Sequence, residues 1–360
     1  MDSSVLDYNL PHERIARFPA QKRDLSRLLV YERKSGKITH AIFKDLPDIL
    51  PHNFDFFRND AAVLKGRIFA QKPSGGNVEC LLLTPCSNEF EWTCMLKPGK
   101  RLPVGSTFGV KDIFEACVVE KHDDGMAIVR FETFNNMSVI DVSEKIGVVP
   151  LPPYIERKQN APDYDRKFDN ERYQTVYADP SKRVAAAAPT AGLHFTKELV
   201  EELKSRGNKF HNLTLHVGIG TFQPLKSDSI EAHKMHSEVY EIPTQTLEAL
   251  TKSKLGKLAV GTTSLRAMED FSRKNLINPR DISRSVADAA SLFVYPPQKI
   301  ISTDAIITNF HLPRSTLMCL IAAFLTPDSD EGISILKQIY AVAIEKEYNF
   351  YSYGDAMLIL

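Results

Sequence analysis

From about residue 184 onwards the chain repeats one local pattern, which constrains its fold more than any other feature. The ranges 212–222, 257–271 and 304–324 each contain a short apolar run followed by a loop of small or polar residues, and helical patterns adjoin these runs. The stretch FTKELVEELKSRG predicts a helix that is capped by Thr196 and ends before Gly207. Such units predict an α/β sheet, whose ligands bind at the carboxyl ends of its strands.

A different pattern occupies residues 62–150, where short apolar runs alternate with turn sequences such as KPSGGN, KPGKRLPVG and HDDG. Short strands at this spacing predict a small antiparallel barrel. The expected fold is therefore a main α/β domain, formed by residues 1–60 and 150–360, with an inserted small antiparallel β-barrel domain over residues 61–149.

Composition restricts the partners and the compartment. Lys and Arg together number 45, as do Asp and Glu, so any contact with a polyanion requires a local basic patch. No N-terminal leader pattern is visible, and the longest apolar stretch, 317–325, is too short to cross a bilayer. Five cysteines without C-x-x-C spacing favour reduced thiols. We therefore expect a cytoplasmic protein without membrane contact.

Five of the ten histidines lie within residues 194–236: His194, His211, His216, His233 and His236. His194 stands among small residues in APTAGLHFT, a position that suits a ligand-contacting side chain or a histidine that satisfies backbone groups. The spacing of His233 and His236, with Glu238 nearby, could hold zinc on a helix. The stricter H-E-x-x-H pattern is absent, and we predict no metal site.

Polar and small residues follow the predicted strands. The loop HVGIGTF contains Gly218 and Gly220 and indicates a close approach of the backbone to another group. The loops GTTS and RST place hydroxyls and free N–H groups at helix starts, which suits a carboxylate or phosphate. For either loop taken alone, ordinary capping is the favoured explanation of these hydroxyls, with Ser315 as one cap.

Two basic segments could contact nucleic acid. Residues 14–27 contain five cations, among them Arg23 and Arg27, and one acidic residue. Residues 92–111 contain four cations and no acidic residue. Cations on turns beside an exposed aromatic ring can hold a phosphate backbone and stack a base. A solvated charged face is the alternative that these residues leave open.

Eleven blocks of the chain, in order, resemble one enzyme family. They are DYNLPHERIARFPAQKRDLSRLLV, KPSGGNVECLLL, KPGKRLPVG, LPPYI, RYQTVYA, AAPTAGLHFT, LHVGIGTFQPL, HKMHSEVY, VGTTSLRAMED, TNFHLPRSTLM and YSYGDAM. Together they are similar to the S-adenosylmethionine:tRNA ribosyltransferase-isomerases of queuosine biosynthesis, over essentially the whole chain. The chain departs from the usual pattern at 182–183, 290–291 and 296–297.

The resemblance implies a reaction and an α/β fold with an inserted barrel. Family members transfer and isomerise the ribosyl moiety of S-adenosylmethionine onto 7-aminomethyl-7-deazaguanine at the wobble position of tRNA. They form epoxyqueuosine and release adenine and methionine. The sulfonium acidifies the ribose C5′ protons, so a histidine suits the role of base. The candidate catalytic residues are His194, as acid/base or orienting group, His216, His236, and Glu238, which would orient one of the latter two.

We expect the segments 216–221, 261–264 and 308–316 to converge on one site for S-adenosylmethionine, which is consumed as the donor without a metal. The candidate substrate-binding residues are Thr190, Gly218, Gly220, Thr221, Thr262, Thr263, Asn309 and His311. The candidate tRNA-binding residues are Arg23, Arg27, Lys97, Lys100 and Arg101. The expected partner is tRNA carrying 7-aminomethyl-7-deazaguanine, bound by a monomer.

Three other functions are compatible with parts of the sequence. A metal-dependent hydrolase could use the histidine cluster, and a non-catalytic tRNA-binding module could use the basic segments. A conventional S-adenosylmethionine methyltransferase would share the donor but leave its glycosidic bond intact.

Overall fold

The computed structural model describes residues 1–123, 125–155, 166–218, 225, 227–233, 235–276 and 282–360. Its strands are, in chain order, β1 (Arg27–Glu32), β2 (Lys37–Ile42), β3 (Phe54–Asn59), β4 (Ala61–Val63), β5 (Arg67–Gln71), β6 (Asn77–Pro85), β7 (Glu91–Lys97), β8 (Thr107–Val110), β9 (Phe114–Lys121), β10 (Met126–Thr133), β11 (Asp179–Ala185), β12 (Lys209–Leu215), β13 (Glu238–Ile242), β14 (Gly256–Val260), β15 (Val286–Ala290), β16 (Ala305–Asn309) and β17 (Ala356–Ile359).

The α-helices among the described residues are α1 (Leu46–Ile49), α2 (Val139–Ile146), α3 (Arg166–Arg172), α4 (Lys197–Ser205), α5 (Thr244–Lys252), α6 (Gly261–Lys274), α7 (Thr316–Leu325) and α8 (Gly332–Glu345). Short 3₁₀ helices cover Ser3–Leu6, His12–Arg14, Arg23–Leu25, Phe43–Asp45, Gly99–Arg101 and Thr190–His194.

Nine strands form the large sheet, in the order β15-β13-β12-β3-β14-β16-β17-β1-β2. The four central strands, β12, β3, β14 and β16, are parallel to one another. Their carboxyl ends, at Leu215, Asn59, Val260 and Asn309, therefore meet at one edge of the sheet. This edge carries the functional candidates that are described below.

Alternate side chains of the central strands fill two separate cores. Phe57, Ala259 and Ile306 point into a core shared with α5, α6, α7 and α8. Their neighbours Phe56 and Leu258 point into a core shared with α4 and the helix Thr190–His194. The sheet is thus covered on both faces, as its nearly continuous apolar strands require.

Six strands close a separate antiparallel barrel in the order β10-β7-β6-β5-β8-β9. Its interior is packed with apolar side chains, to which α2 adds Val139 and Val142. The predicted fold class, an α/β domain with an inserted antiparallel barrel, is confirmed. The barrel strands lie between Arg67 and Thr133, and β4 instead pairs with β11. The domain limits at residues 61 and 149 remain a prediction.

The predictions of helix ends that depended only on neighbouring residues are confirmed for α4. Thr196 caps α4, because its side chain accepts a hydrogen bond of 3.1 Å from the N–H of Leu199. Gly207 follows α4 with φ of +100°, as a glycine stop requires. The predicted GTTS loop is wrong: β14 ends at Val260 and α6 begins at Gly261, whose φ of +87° permits this direct turn.

None of the helices in the described part of the chain combines the length and apolar character that crossing a membrane requires. All five cysteines are free thiols.

Candidate active site

A cleft that is open to solvent lies at the carboxyl ends of β14 and β16. We call it the strand-end cleft. Five of the predicted substrate-binding residues line it together: Thr190, Thr262, Thr263, Asn309 and His311. These residues come from three distant segments of the chain, so the sheet brings them together as the strand-end rule predicts.

Two hydroxyl groups in the strand-end cleft have no hydrogen-bond partner among the described residues. The Oγ1 atom of Thr263 lies in the first turn of α6, and the Oγ atom of Ser315 lies just before α7; both are buried. Ser315 occupies the N-cap position of α7, as predicted, but its side chain makes no hydrogen bond to the helix. Buried hydroxyls at helix starts provide donors for an anionic group of a ligand.

His194 lies behind the wall of the cleft and is buried. Its Nδ1 is 2.7 Å from the Oγ of Ser26, its Nε2 is 3.2 Å from the Nδ2 of Asn309, and its ring packs against Phe43 with centroids 5.1 Å apart. Burial lowers the pKa of His194 to about 3, and the charge of Arg23 acts in the same direction. The imidazole is therefore neutral near pH 7.

The hydrogen-bond partners determine the tautomer of His194. An amide Nδ2 can only donate, so Nε2 accepts from Asn309 and Nδ1 carries the proton that Ser26 accepts. Asn309 donates also to the carbonyl of Tyr351 at 3.2 Å, and its Oδ1 accepts from the Oγ1 of Thr190 at 2.9 Å. A chain of hydrogen bonds thus runs from Ser26 through His194 and Asn309 to Thr190 on the cleft wall.

His311 is buried and lies two residues after Asn309, in the loop that follows β16. Its Nε2 is 2.9 Å from the Oγ1 of Thr308, and its backbone N–H donates to the hydroxyl of Tyr340 at 3.0 Å. Burial lowers the pKa of His311 to about 3, so this imidazole is also neutral near pH 7.

The remaining predicted catalytic residues do not line the strand-end cleft. His216 follows β12 and is half-buried, and burial lowers its pKa, while Glu241 opposes that shift. His236 is exposed. Glu238 is buried, and one carboxylate oxygen accepts from the N–H of Gly218 at 2.9 Å. Gly220 and Thr221 lie outside the described residues.

Glu238 forms a buried ion pair with Arg266, a residue of α6 to which the sequence had assigned no role. Arg266 also donates to the carbonyls of His236 and Ala290, each at 2.8 Å. This pair connects β13, β15 and α6 and fixes the backbone at Gly218. The only sequence signal was an arginine within a predicted amphipathic helix, which is usually solvated.

The helix that could have presented His233 and His236 to a zinc ion is not formed at the described residues. The segment between His233 and His236 precedes β13 and is not helical at its described residues. Within the described residues, no group of three His, Cys, Asp or Glu side chains is placed to hold a metal ion.

The YSYG segment contributes two cleft residues to which the sequence analysis assigned no role. Tyr351 and Ser352 line the cleft, and Tyr351 packs against Tyr154 with ring centroids 4.6 Å apart. Tyr351 has φ of +73°, which is unusual for an aromatic residue, and its carbonyl is the one that Asn309 contacts. Such strain is concentrated at functional sites.

The two groups of predicted tRNA-binding residues have different surroundings. Lys97, Lys100 and Arg101 surround the turn Gly99–Arg101 of the barrel; they are exposed and form no ion pair with the described residues. We call them the basic turn. Arg27 packs over the ring of Tyr348 at 3.8 Å, and Arg23 is half-buried against backbone carbonyls.

One departure from the family pattern has a structural role. Lys182 lies on β11 and forms an ion pair with Asp60, 3.1 Å away at the carboxyl end of β3. Its Nζ also donates to the Oγ1 of Thr214 at 2.8 Å. The cation therefore joins β11 to the large sheet.

A family model described as "Queuosine biosynthesis protein" matches residues 3–359. The chain belongs to this family. A relative from Sulfurihydrogenibium sp. (strain YO3AOP1) is 40% identical over 364 residues, and one from Acetivibrio thermocellus is 41% identical over 365 residues. Each alignment covers 100% of both chains, and both relatives bear the name S-adenosylmethionine:tRNA ribosyltransferase-isomerase.

A solved structure agrees with this assignment. The crystal structure of S-adenosylmethionine tRNA ribosyltransferase from Thermotoga maritima matches with a TM-score of 0.53 and 30% identity, covering 99% of this chain and 100% of that chain. The predicted family is confirmed, and with it the prediction that this member of the queuosine biosynthesis family is an enzyme, a transferase and isomerase.

Proposed function

We propose that this enzyme transfers and isomerises the ribosyl moiety of S-adenosylmethionine onto 7-aminomethyl-7-deazaguanine at the wobble position of tRNA. Epoxyqueuosine-tRNA, adenine and methionine are the products. The observation that carries the proposal is the strand-end cleft, in a chain whose relatives bear this enzyme name. Its wall contains the hydrogen-bonded Thr190–Asn309 pair and two hydroxyls that have no partner among the described residues. We further propose that the enzyme acts in the cytoplasm and as a monomer.

The cleft offers contacts to two parts of S-adenosylmethionine, its methionine carboxylate and its nucleoside. The hydroxyls of Thr263 and Ser315, at the starts of α6 and α7, suit the methionine carboxylate, because both helix N-termini favour an anion. The rings of Tyr154 and Tyr351 give the nucleoside an apolar surface. In this arrangement Thr262 and His311 complete the wall of the donor site, and Gly218, whose N–H donates to Glu238, directly follows Val217 of that wall.

Asn309 and Thr190 are the proposed substrate contacts, and His194 is the proposed orienting group. His194 has the acceptor that the amide of Asn309 needs, and its low pKa keeps that acceptor unprotonated. Of the two roles expected for His194, these contacts favour orientation over proton transfer. The proposed proton-transferring groups are His216, which directly precedes Val217 of the cleft wall, and His236; neither side chain itself lines the cleft.

Incubation with S-adenosylmethionine and tRNA carrying 7-aminomethyl-7-deazaguanine is expected to release adenine and methionine in equal amounts. Each turnover breaks one glycosidic bond and one carbon–sulfur bond, and the acceptor amine takes the ribosyl carbon. Chromatography of the small molecules, with tRNA bearing guanine at the wobble position as the control, measures both products. The control reaction should release neither.

Other products would contradict the proposal in distinguishable ways. S-Adenosylhomocysteine with an intact glycosidic bond would indicate a methyltransferase. Binding of tRNA without any small-molecule product would indicate a binding module, and activity that is abolished by a chelator and restored by zinc would indicate a metal-dependent hydrolase.

The basic turn is proposed to contact the anticodon arm. Replacing Lys97, Lys100 and Arg101 by alanine should raise the KM for tRNA and reduce the log–log dependence on salt by about one for each lost phosphate contact. The KM for S-adenosylmethionine should not change. Steady-state kinetics at several salt concentrations measure both quantities.

A control variant with Lys204 and Lys252 replaced by alanine removes exposed cations that pair with Glu201 and Glu248 on α4 and α5. It should retain the salt dependence of the wild type. A basic-turn variant whose salt slope equals that of this control would exclude the turn as a contact surface.

A further inference from the structure

A second, smaller cleft lies next to the strand-end cleft and is lined by two arginines, Arg23 and Arg172. We call it the arginine cleft. Arg23 donates to the carbonyls of Glu171, Arg172 and Leu193, at 2.8, 3.3 and 3.2 Å. Arg172 donates in return to the carbonyls of Ala20 and Gln21, at 2.6 and 3.2 Å. Each guanidinium is thus held in place by the segment that carries the other.

The arginine cleft has two positive charges without a matching carboxylate. Neither Arg23 nor Arg172 forms an ion pair with a described residue, and the Nε of Arg172 is buried without a partner. Burial and the charge of Arg172 lower the pKa of Arg23, and Glu171, the acidic residue that opposes this, is exposed. Two neighbouring half-buried cations are unfavourable unless an anion compensates them.

We propose that the arginine cleft binds a phosphodiester group of the acceptor RNA, next to the nucleotide whose base enters the strand-end cleft. This inference rests on the proposed function. Ser352 lines both clefts, and His194, which lines the arginine cleft, is hydrogen-bonded to Asn309 in the other. A nucleotide that reaches Asn309 therefore brings its own backbone to Arg23 and Arg172.

The alternative anion is the methionine carboxylate of the donor. The strand-end cleft already offers that group the hydroxyls of Thr263 and Ser315 and two helix N-termini. Guanidinium groups match the geometry of phosphate oxygens, and phosphate contacts fix the register of a nucleic acid on a protein. A phosphodiester contact here would position the wobble nucleotide without reading its base.

The test is a scan of an anticodon stem-loop that carries 7-aminomethyl-7-deazaguanine. Each phosphate from the position before the wobble nucleotide to the second position after it is replaced in turn by neutral methylphosphonate. For the wild-type enzyme, one replacement should raise the KM for RNA about tenfold, and the KM for S-adenosylmethionine should stay constant. With Arg172→Gln, the unmodified stem-loop should show the same increase, and the sensitive methylphosphonate should add no more than twofold.

Arg33→Gln is the matched control, because Arg33 is a half-buried arginine that donates to the carbonyls of Asp304, Phe324 and Leu360, away from both clefts. It should preserve the sensitivity to methylphosphonate. A flat scan with the wild type, in reactions that still release adenine, would overturn the phosphate site and leave the proposed function intact. A raised KM for S-adenosylmethionine in Arg172→Gln, with an unchanged KM for RNA, would assign the cleft to the donor carboxylate and equally overturn it.

Discussion

Replacing His194 by alanine is expected to lower kcat about 10²-fold while leaving binding of tRNA unchanged. The variant removes the acceptor that holds the amide of Asn309 at 3.2 Å, so Asn309 and Thr190 lose their fixed orientation in the cleft. A displacement of about 1 Å at reacting groups is sufficient for a loss of that size. Single-turnover release of adenine measures the rate. His194→Gln, whose side-chain oxygen can accept from Asn309, should recover part of it.

The pH dependence separates orientation from proton transfer. The pKa of His194 is about 3 in the folded chain, against an ordinary value of 6.5. The unfolded chain therefore binds a proton more readily, so His194 contributes stability that is present above pH 6.5 and is lost as the pH falls towards 3. The free energy of unfolding should fall less steeply over this range in His194→Gln than in the wild type. The shape of the kcat–pH profile should be the same in both enzymes.

His211→Ala provides the control for this pair of measurements. His211 is a partly buried histidine on β12 whose Nε2 lies 2.7 Å from a carboxylate oxygen of Asp55, and it does not line the strand-end cleft. Its replacement should reduce stability without a 10²-fold loss in kcat. If one limb of the kcat–pH profile disappears in His194→Gln, His194 transfers a proton and the orienting role is wrong.

These contacts also show why the role of His194 is not visible in the sequence alone. Ser26 and Asn309, its two partners, are separated from it by 168 and 115 residues. No local pattern encodes such pairs. Capping by Thr196 and the stop at Gly207 were predictable because they depend on residues within one turn. The strand-end rule then placed Thr262, Thr263 and Asn309 correctly in one cleft.

Buried polar contacts were the other source of error. The hydroxyl of Ser315 has the position of a cap, yet it makes no bond to α7 and is buried without a partner among the described residues. Glu238 was expected to orient a histidine, and its described contacts include Arg266 and the N–H of Gly218. A period-2 strand pattern cannot reveal which charged residue turns inward, because that choice depends on a partner from another element.

Replacing Arg266 by methionine is expected to destabilise the chain by about 3–5 kcal/mol, the range for removing one partner of a buried ion pair. Methionine retains the volume of the side-chain stem, so the effect reports the lost charge and hydrogen bonds. It removes the guanidinium of Arg266 from the buried carboxylate of Glu238 and from the carbonyls of His236 and Ala290. Equilibrium unfolding in urea, followed by circular dichroism, measures the change.

The double variant Glu238→Gln with Arg266→Met tests whether the destabilisation comes from the unpaired charge. Glutamine keeps an oxygen that can accept from the N–H of Gly218, and the double variant contains no buried charge at this position. The double variant should therefore lose less unfolding free energy than the two single variants lose in sum, with a coupling energy of about 0.5–3 kcal/mol. Because the same carboxylate fixes the backbone at Gly218, both single variants should also raise the KM for S-adenosylmethionine. Additive stabilities with an unchanged KM would show that the pair neither acts as a unit nor supports the donor site.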